Sequence, residues 1–364
     1  MLILTAAYGE GHNTAARGLR DAMQELGGTV ELVDLFAQTS TRLYDRTRSF
    51  YLDVINHAPW LWSATYRLVD ALPFGALAEP LLRTARRRLA ALLEKHQPAA
   101  VVSVYPMFGY FIDRIYAHRR RAFPFYTVVT DSITINSIWY RCGTDRFFVA
   151  NEATAAVIRA GGVPSEKIAV KGFPVSPVFS RPRALRPDPD ATAPRVLFMI
   201  NAQKDIAPAI VASLLSNPRI ELTVTVGRDD ALRRKIEAIA ARPIEVHGWT
   251  DRMPELLMRS HLLIGKAGGA AVQEAIAART PMLITSVVPG QEEGNAQLLT
   301  EHECGAICET PEKIAATVDA LFRDGALLWH RWERAITGLS RPEAAREIAQ
   351  EILRPMTSTA ASSV

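Results

Sequence analysis

The chain has 364 residues, 48% of them hydrophobic and 22% charged, with a formal net charge of +4. That length points to two domains, each able to bury its own core, and the composition excludes disordered and collagen-like chains. No apolar run approaches the roughly 18 residues that a membrane-spanning helix needs. The cysteines Cys142, Cys304 and Cys308 lack the number for a disulfide framework and the spacing for a zinc site.

In chain order, short apolar runs alternate with helical patterns. Leu2–Thr5 reads as a first buried strand rather than a leader, because no basic segment precedes it. After Gly9-Glu10-Gly11-His12, apolar residues at Ala16, Leu19 and Met23 follow helical spacing. Strands are expected at 30–33, 100–104, 125–130, 146–149 and 167–170, runs of the kind found in parallel sheets. Residues 39–96 show no strand pattern and read as a helical insertion. Prolines at 174, 177, 182, 187, 189 and 194 mark a linker. Strands then resume at 196–200, 221–226, 244–246, 262–264 and 282–285. Helices are expected near 204–216, 229–241, 251–259, 269–278, 292–302, 311–323, 326–336 and 341–353. The serine- and threonine-rich tail, 355–364, reads as disordered. The pattern gives an α/β protein with domains at 1–180 and 181–340 and parallel sheets. Ligands in such sheets bind at the carboxyl ends of the strands.

Charge is unevenly placed. Residues 1–180 carry 20 basic against 15 acidic side chains, and residues 181–364 carry 22 against 23. Arg86-Arg87-Arg88 and Arg119-Arg120-Arg121 lie in the basic half. Either triplet alone fits a solvated helix face. With Phe50, Tyr51, Trp60, Trp62 and Tyr66 nearby, they also fit an anionic membrane surface. No nucleic-acid-binding motif accompanies the charge.

Two glycine segments carry the chemistry. Lys266-Ala267-Gly268-Gly269 joins a strand to a helix, where free N–H groups and the helix dipole favour a diphosphate. Glu274, five residues on, can accept the hydroxyls of a ribose. Gln291, Glu292 and Asn295 begin a later helix and suit sugar hydroxyls. The bland alternative is close helix–strand packing by the glycine pair. On the other side, His12 follows Gly11 at a helix start, and an imidazole suits a general base near neutral pH. Asp131 is the alternative base, an orienting group, or a simple loop hydrogen-bonder.

These segments together resemble the donor and acceptor motifs of family 28 glycosyltransferases. The branch is that of the monogalactosyldiacylglycerol synthases and processive diacylglycerol glucosyltransferases. The resemblance rests on Gly9–Ala16, Thr127–Asp131 with Trp139, Lys171–Val175 with Phe179, Lys266–Ala275, Pro281 and Pro289–Asn295, in order from about residue 3 to about 305. It implies a GT-B fold: two facing Rossmann-like domains about a cleft, the last helix packing back onto the first domain. It implies inverting transfer of a hexose from a UDP-sugar to diacylglycerol or a similar lipid hydroxyl. The enzyme would sit peripherally on the inner face of the cell membrane and need neither cofactor nor metal. By position, Lys266, Gly268, Gly269, Glu274, Gln291, Glu292, Asn295 and Gln203 would hold the donor. His12 and Asp131 would be catalytic, with Gly11, Trp60, Trp62, Tyr66 and Trp139 on the acceptor or membrane side. Alternatives are a soluble acceptor, a degenerate nucleotide- or lipid-binding homologue and, more remotely, a UDP-sugar epimerase.

Three positions depart from the pattern. Asn136 stands where the branch usually has His, and Tyr105 stands at a position often His. The loop after the first strand of the second domain, Asn201-Ala202-Gln203-Lys204-Asp205, lacks its glycines. Gln203 or Lys204 would then replace backbone contacts to the donor with side-chain ones.

Overall fold

A computed structural model describes residues 1–6, 10–37, 79–182, 186–290 and 292–361. The chain opens with β1 (Leu2–Thr5), α1 (Glu10–Glu25), β2 (Glu31–Asp34), α2 (Glu79–His96), β3 (Val101–Ser103), α3 (Met107–Ile115) and β4 (Phe125–Val128). It continues with β5 (Arg146–Val149), α4 (Glu152–Ala160), β6 (Ile168–Val170), β7 (Arg195–Met199), α5 (Ala207–Leu215), β8 (Glu221–Thr225), α6 (Asp230–Ile239) and β9 (Glu245–His247). It ends with α7 (Met253–Arg259), β10 (Leu262–Gly265), α8 (Gly269–Ala278), β11 (Met282–Ile284), α9 (Glu293–Glu301), β12 (Gly305–Ile307), α10 (Pro311–Phe322), α11 (Leu327–Leu339) and α12 (Ala344–Ala361).

The chain forms two compact units. The first holds residues 1–177, 289–294 and 342–364, and the second holds 178–288 and 295–341. Each contains a six-stranded sheet, ordered β2-β1-β3-β4-β5-β6 in the first and β12-β11-β10-β7-β8-β9 in the second. The pairings are parallel throughout. This is the α/β architecture of two Rossmann-like domains that the alternating pattern implies.

In the first unit, Leu2, Leu4, Val101 and Phe125 from the sheet pack with Leu89 and Leu93 of α2 and Phe108 and Phe111 of α3. Helix α1 buries Ala15, Ala16, Leu19, Ala22 and Met23 along one stripe, as the three-to-four spacing dictates. Gly18 lets α1 lie directly on the chain at 174–175: a Cβ there would stand 2.2 Å from the Pro174 carbonyl oxygen. In the second unit, Val196, Phe198, Val224, Leu262 and Ile264 pack under Ile210, Leu214, Leu321, Trp329 and Trp332.

Helix α12 belongs to the first unit. Glu347 and Glu351 approach Lys171 at 3.6 and 3.5 Å, and Glu351 also pairs with Arg146. The helix runs to Ala361, so the tail expected to be disordered from 355 is helical that far. Once a helix is nucleated, each further residue adds a hydrogen bond at little cost. Strand β12 is absent from the sequence expectation. The insertion at 39–96 is described only from 79 onward, where it is helical. Phe50, Tyr51, Trp60, Trp62 and Tyr66 lie outside the described residues.

Candidate functional site

The order of each sheet fixes where its site lies. In the first unit the chain builds β1 and β2 on one side and then crosses to β3, so β1 and β3 are adjacent strands whose connections leave in opposite directions. Ligands bind at the carboxyl end of such a reversal. In the second unit the same reversal falls between β7 and β10.

At the first reversal, α1 carries His12 in its first turn, one residue after Gly11. The Nδ1 of His12 lies 2.9 Å from the Val104 carbonyl oxygen, just past β3. It also lies 2.8 Å from the Thr130 hydroxyl oxygen, just past β4. A carbonyl can only accept, so Nδ1 carries the ring proton and Nε2 keeps its lone pair. The imidazole meets Tyr105 edge-on at 5.0 Å between centroids and Trp139 tilted at 6.0 Å. The indole N–H of buried Trp139 donates to Asp131 Oδ2 at 2.7 Å.

Burial acts oppositely on the two titrating groups. It lowers the His12 pKa below its ordinary 6.5, with Asp131 and the Val104 hydrogen bond working the other way. It raises the Asp131 carboxyl above its ordinary 3.8, with His12 and the Trp139 indole opposing. A neutral imidazole with a free Nε2, beside a carboxyl group, has the form of a general base with an electrostatic partner.

His12, Asp131 and Trp139 are thus brought together in the first unit. Asn136 has become structural: its side chain accepts from the Ile138 N–H at 3.0 Å and caps a short 3₁₀ turn. Gly294 seats its segment within the same unit. Its N–H donates to Thr134 Oγ1 at 3.0 Å, and a Cβ would stand 1.9 Å from the Ser132 carbonyl oxygen. Glu292 is buried in this unit, and Gln291 lies outside the described residues.

At the second reversal, Lys266-Ala267-Gly268 joins β10 to α8. Gly268 is the N-cap, in extended conformation, and no side chain caps the helix. The start of α8 therefore presents N–H donors and the positive end of the helix dipole. Glu274 sits half-buried on α8. Asn295 is 3% exposed: its Nδ2 donates to the Ala267 carbonyl at 3.1 Å, and its Oδ1 has no partner among the described residues.

In the glycine-poor loop after β7, Asn201 ties to the loop after β10: its Oδ1 accepts from the Lys266 backbone N–H at 3.1 Å. Lys204 is committed to Asp229 at 2.7 Å and holds that carboxyl below the usual range. Asp229 in turn caps α6 through the Leu232 N–H at 3.0 Å. Gln203 adopts φ 49°, the left-handed conformation a glycine would take without strain.

Sequence reading missed Trp249. It follows Gly248 at the carboxyl end of β9, is 66% exposed, and has the Arg228 guanidinium 5.5 Å from its ring centroid. A Gly-Trp step directly after a strand was the available signal. Strands β10 and β9 are separated by β7 and β8. At about 4.8 Å per strand, the Trp249 edge lies about 14 Å from the α8 start. That is about the reach of a nucleoside diphosphate along the ends of the strands.

Residues 12–175 match the family described as monogalactosyldiacylglycerol (MGDG) synthase, and residues 199–338 match the glycosyltransferase family 28 C-terminal domain. The chain belongs to glycosyltransferase family 28. Its two matches fall largely one on each unit, so they cover both His12 and Asp131 in the first and Lys266–Glu274 in the second. A processive diacylglycerol β-glucosyltransferase of Bacillus cereus is 26% identical over 368 residues, covering 97% of this chain and 93% of that protein. Among solved structures, MurG of Acinetobacter baumannii aligns with a TM-score of 0.63 at 15% identity, over 97% of this chain and 99% of that one. The UDP-GlcNAc 2-epimerase of Neisseria meningitidis aligns with a TM-score of 0.60 at 12% identity, over 97% and 100%. These likenesses establish the GT-B fold. The family matches carry the distinction between transferase and epimerase.

Proposed function

We propose that the protein moves a hexose from a UDP-sugar to the free hydroxyl of diacylglycerol or a similar lipid, inverting the anomeric carbon. The observation that carries this is the His12 geometry: Nδ1 is committed to Val104 and Thr130, and among the described residues no hydrogen bond engages Nε2. In this reading His12 Nε2 takes the proton of the acceptor hydroxyl as its oxygen attacks C1 of the sugar. The departing UDP is stabilised by the amides and dipole of the α8 start, a role that asks for no metal. Asn295 Oδ1 is an acceptor placed to meet a donor hydroxyl or N–H. The diacylglycerol glucosyltransferase relatives support the lipid acceptor. The test is acceptor dependence. UDP release from a UDP-hexose should rise on adding diacylglycerol vesicles and stay at background with soluble sugars or alcohols. Equal stimulation by a soluble acceptor would overturn the lipid assignment.

A peripheral position on an anionic membrane is part of this reading. Arg87, Arg88, Arg119 and Arg120 are exposed on and beside α2 and α3 of the first unit. Arg114 and Arg119 lie 5.7 and 4.8 Å over the rings of Tyr110 and Tyr116. Basic groups interleaved with aromatic rings favour an anionic interface. No helix among the described residues is long and apolar enough to cross a membrane.

In this reading the exposed Trp249 ring is the platform on which the base of the nucleotide stacks. Trp249→Ala should weaken UDP binding by about 1–3 kcal/mol, the value of one base–aromatic stack, or roughly five- to 150-fold in Kd. Isothermal titration with UDP reads this directly. An unchanged Kd would place the base elsewhere on the sheet edge.

A further inference from the structure

Thr130 is 3% exposed, and its hydroxyl faces the one ring atom that decides what His12 can do. Its position is built by the fold. Val128 ends β4, and Thr130 stands two residues beyond, where the β3 and β4 loops converge on the ring from one side. We propose that Thr130 is a positioning residue: together with the Val104 carbonyl it holds the His12 ring with the proton on Nδ1, so that Nε2 is the basic nitrogen. This rests on the reading of His12 as the base.

In the alternative tautomer Nδ1 would be a lone pair, and it would face the Val104 oxygen, another lone pair, at 2.9 Å. That contact is repulsive, and only the Thr130 hydroxyl could partly relieve it by donating. With the proton on Nδ1, carbonyl and hydroxyl oxygens both accept from it, and both contacts become attractive. The hydroxyl also fixes the ring plane, because two acceptors on neighbouring strand ends define a direction that one alone does not. Buried histidine bases are commonly oriented at Nδ1 by a carboxylate or carbonyl. Here the nearby carboxylate, Asp131, is held by the Trp139 indole, and two uncharged oxygens orient the ring.

The charged groups facing His12 limit what else could set the tautomer. Asp131 acts on it electrostatically, and Tyr105 and Trp139 offer ring faces and edges. The tautomer is therefore assigned to Val104 and Thr130, and only Thr130 can be altered by substitution without changing the backbone.

The test compares Thr130→Val, which keeps the shape and removes the hydroxyl, with Thr130→Ser, which keeps the hydroxyl. Nitrogen-15 NMR of the His12 ring at neutral pH is read on the purified protein without substrate, alongside kcat and KM for the UDP-sugar. Wild type and Thr130→Ser should show a protonated-type Nδ1 and a deprotonated-type Nε2. Thr130→Val should shift the tautomer ratio by about five- to tenfold, the equilibrium weight of one net hydrogen bond. Its kcat should fall by at least that factor with KM for the donor unchanged. Ring signals in Thr130→Val identical to wild type would overturn the proposal. An inactive wild type with the expected ring signals would overturn the reading of His12 as a base and leave the positioning claim standing. A near-native melting temperature for Thr130→Val identifies a folded variant, and Thr130→Ala, which also removes the hydroxyl, carries the comparison if valine prevents folding.

Discussion

His12→Ala is expected to reduce lipid-dependent UDP release by about 10²–10⁴-fold, the range contributed by a positioned general base, while leaving UDP binding intact. Lys266, Gly268, Glu274 and Asn295, proposed to hold the donor, lie on or beside β10, α8 and α9 in the second unit, whereas His12 lies on α1 in the first. The pH profile sharpens the expectation. Burial depresses the His12 pKa, so the neutral base persists as pH falls through 6.5, and the acid limb of kcat/KM lies below that value. Asp131 raises the His12 pKa against burial. Asp131→Asn should therefore move the acid limb further down if His12 is the base. Complete loss in Asp131→Asn, with His12→Ala only mildly affected, would transfer the role to Asp131.

A second large effect is expected at a histidine with no catalytic role. His261 is 0% exposed at the head of β10 in the second unit. Its Nδ1 accepts from the Arg195 N–H at 2.8 Å, and its Nε2 donates to the Pro187 carbonyl at 2.8 Å. The ring meets Trp329 edge-on at 5.4 Å, and the Trp329 indole donates to the His261 carbonyl at 2.7 Å. This neutral, fully bonded ring ties the linker to the sheet. Its pKa is lowered to about 4, chiefly by burial, with Arg186 and Arg195 adding and the Pro187 hydrogen bond opposing.

The sign follows directly. The unfolded chain binds the proton more tightly, so the His261 contribution is full above pH 6.5 and is lost as pH falls from 6.5 towards 4. Over that window it amounts to about 3 kcal/mol, at 1.36 kcal/mol per pKa unit. His261→Ala should cost about 3–5 kcal/mol at neutral pH by leaving a cavity and two buried backbone groups without partners. Chemical denaturation of wild type and variant from pH 7 to pH 4 checks both statements. The variant's stability should fall less steeply with acid, and parallel curves would assign the acid sensitivity elsewhere.

Much of the architecture was legible because parallel strands buried on both faces are continuous apolar runs. Leu2–Thr5 and Arg146–Val149 coincide with their observed strands, and most others fall within one or two residues. Gly305–Ile307 was not legible. Three residues, one of them glycine, carry too little pattern, and their place is set by pairing with β11. Helices α3 and α4 were passed over because Met107–Ile115 and Glu152–Ala160 are short and sit close behind strands. The extension of α12 past 353 overrode a polar, serine-rich composition.

At the site, the motif residues identified the right segments but not their bonding. Nothing in the spelling of Val104 or Thr130 shows that strand ends from β3 and β4 converge on one ring nitrogen. That follows from the β1–β3 reversal, a property of topology. The glycine-poor loop shows the same limit: nothing in its spelling shows that Asn201 meets the Lys266 backbone, a contact that follows because the β7–β10 reversal sets those two loops side by side.

The central claim is that this chain glycosylates a glyceride hydroxyl. The most direct measurement is mass spectrometry of the lipid fraction after incubating purified protein with a panel of UDP-hexoses and vesicles of diacylglycerol and anionic phospholipid. The account predicts diacylglycerol gaining one or more hexose units from at least one donor, with a β-linkage from an α-linked UDP-sugar, and no such product with His12→Ala. Unmodified diacylglycerol across the whole panel, from a protein that binds UDP saturably, would contradict it.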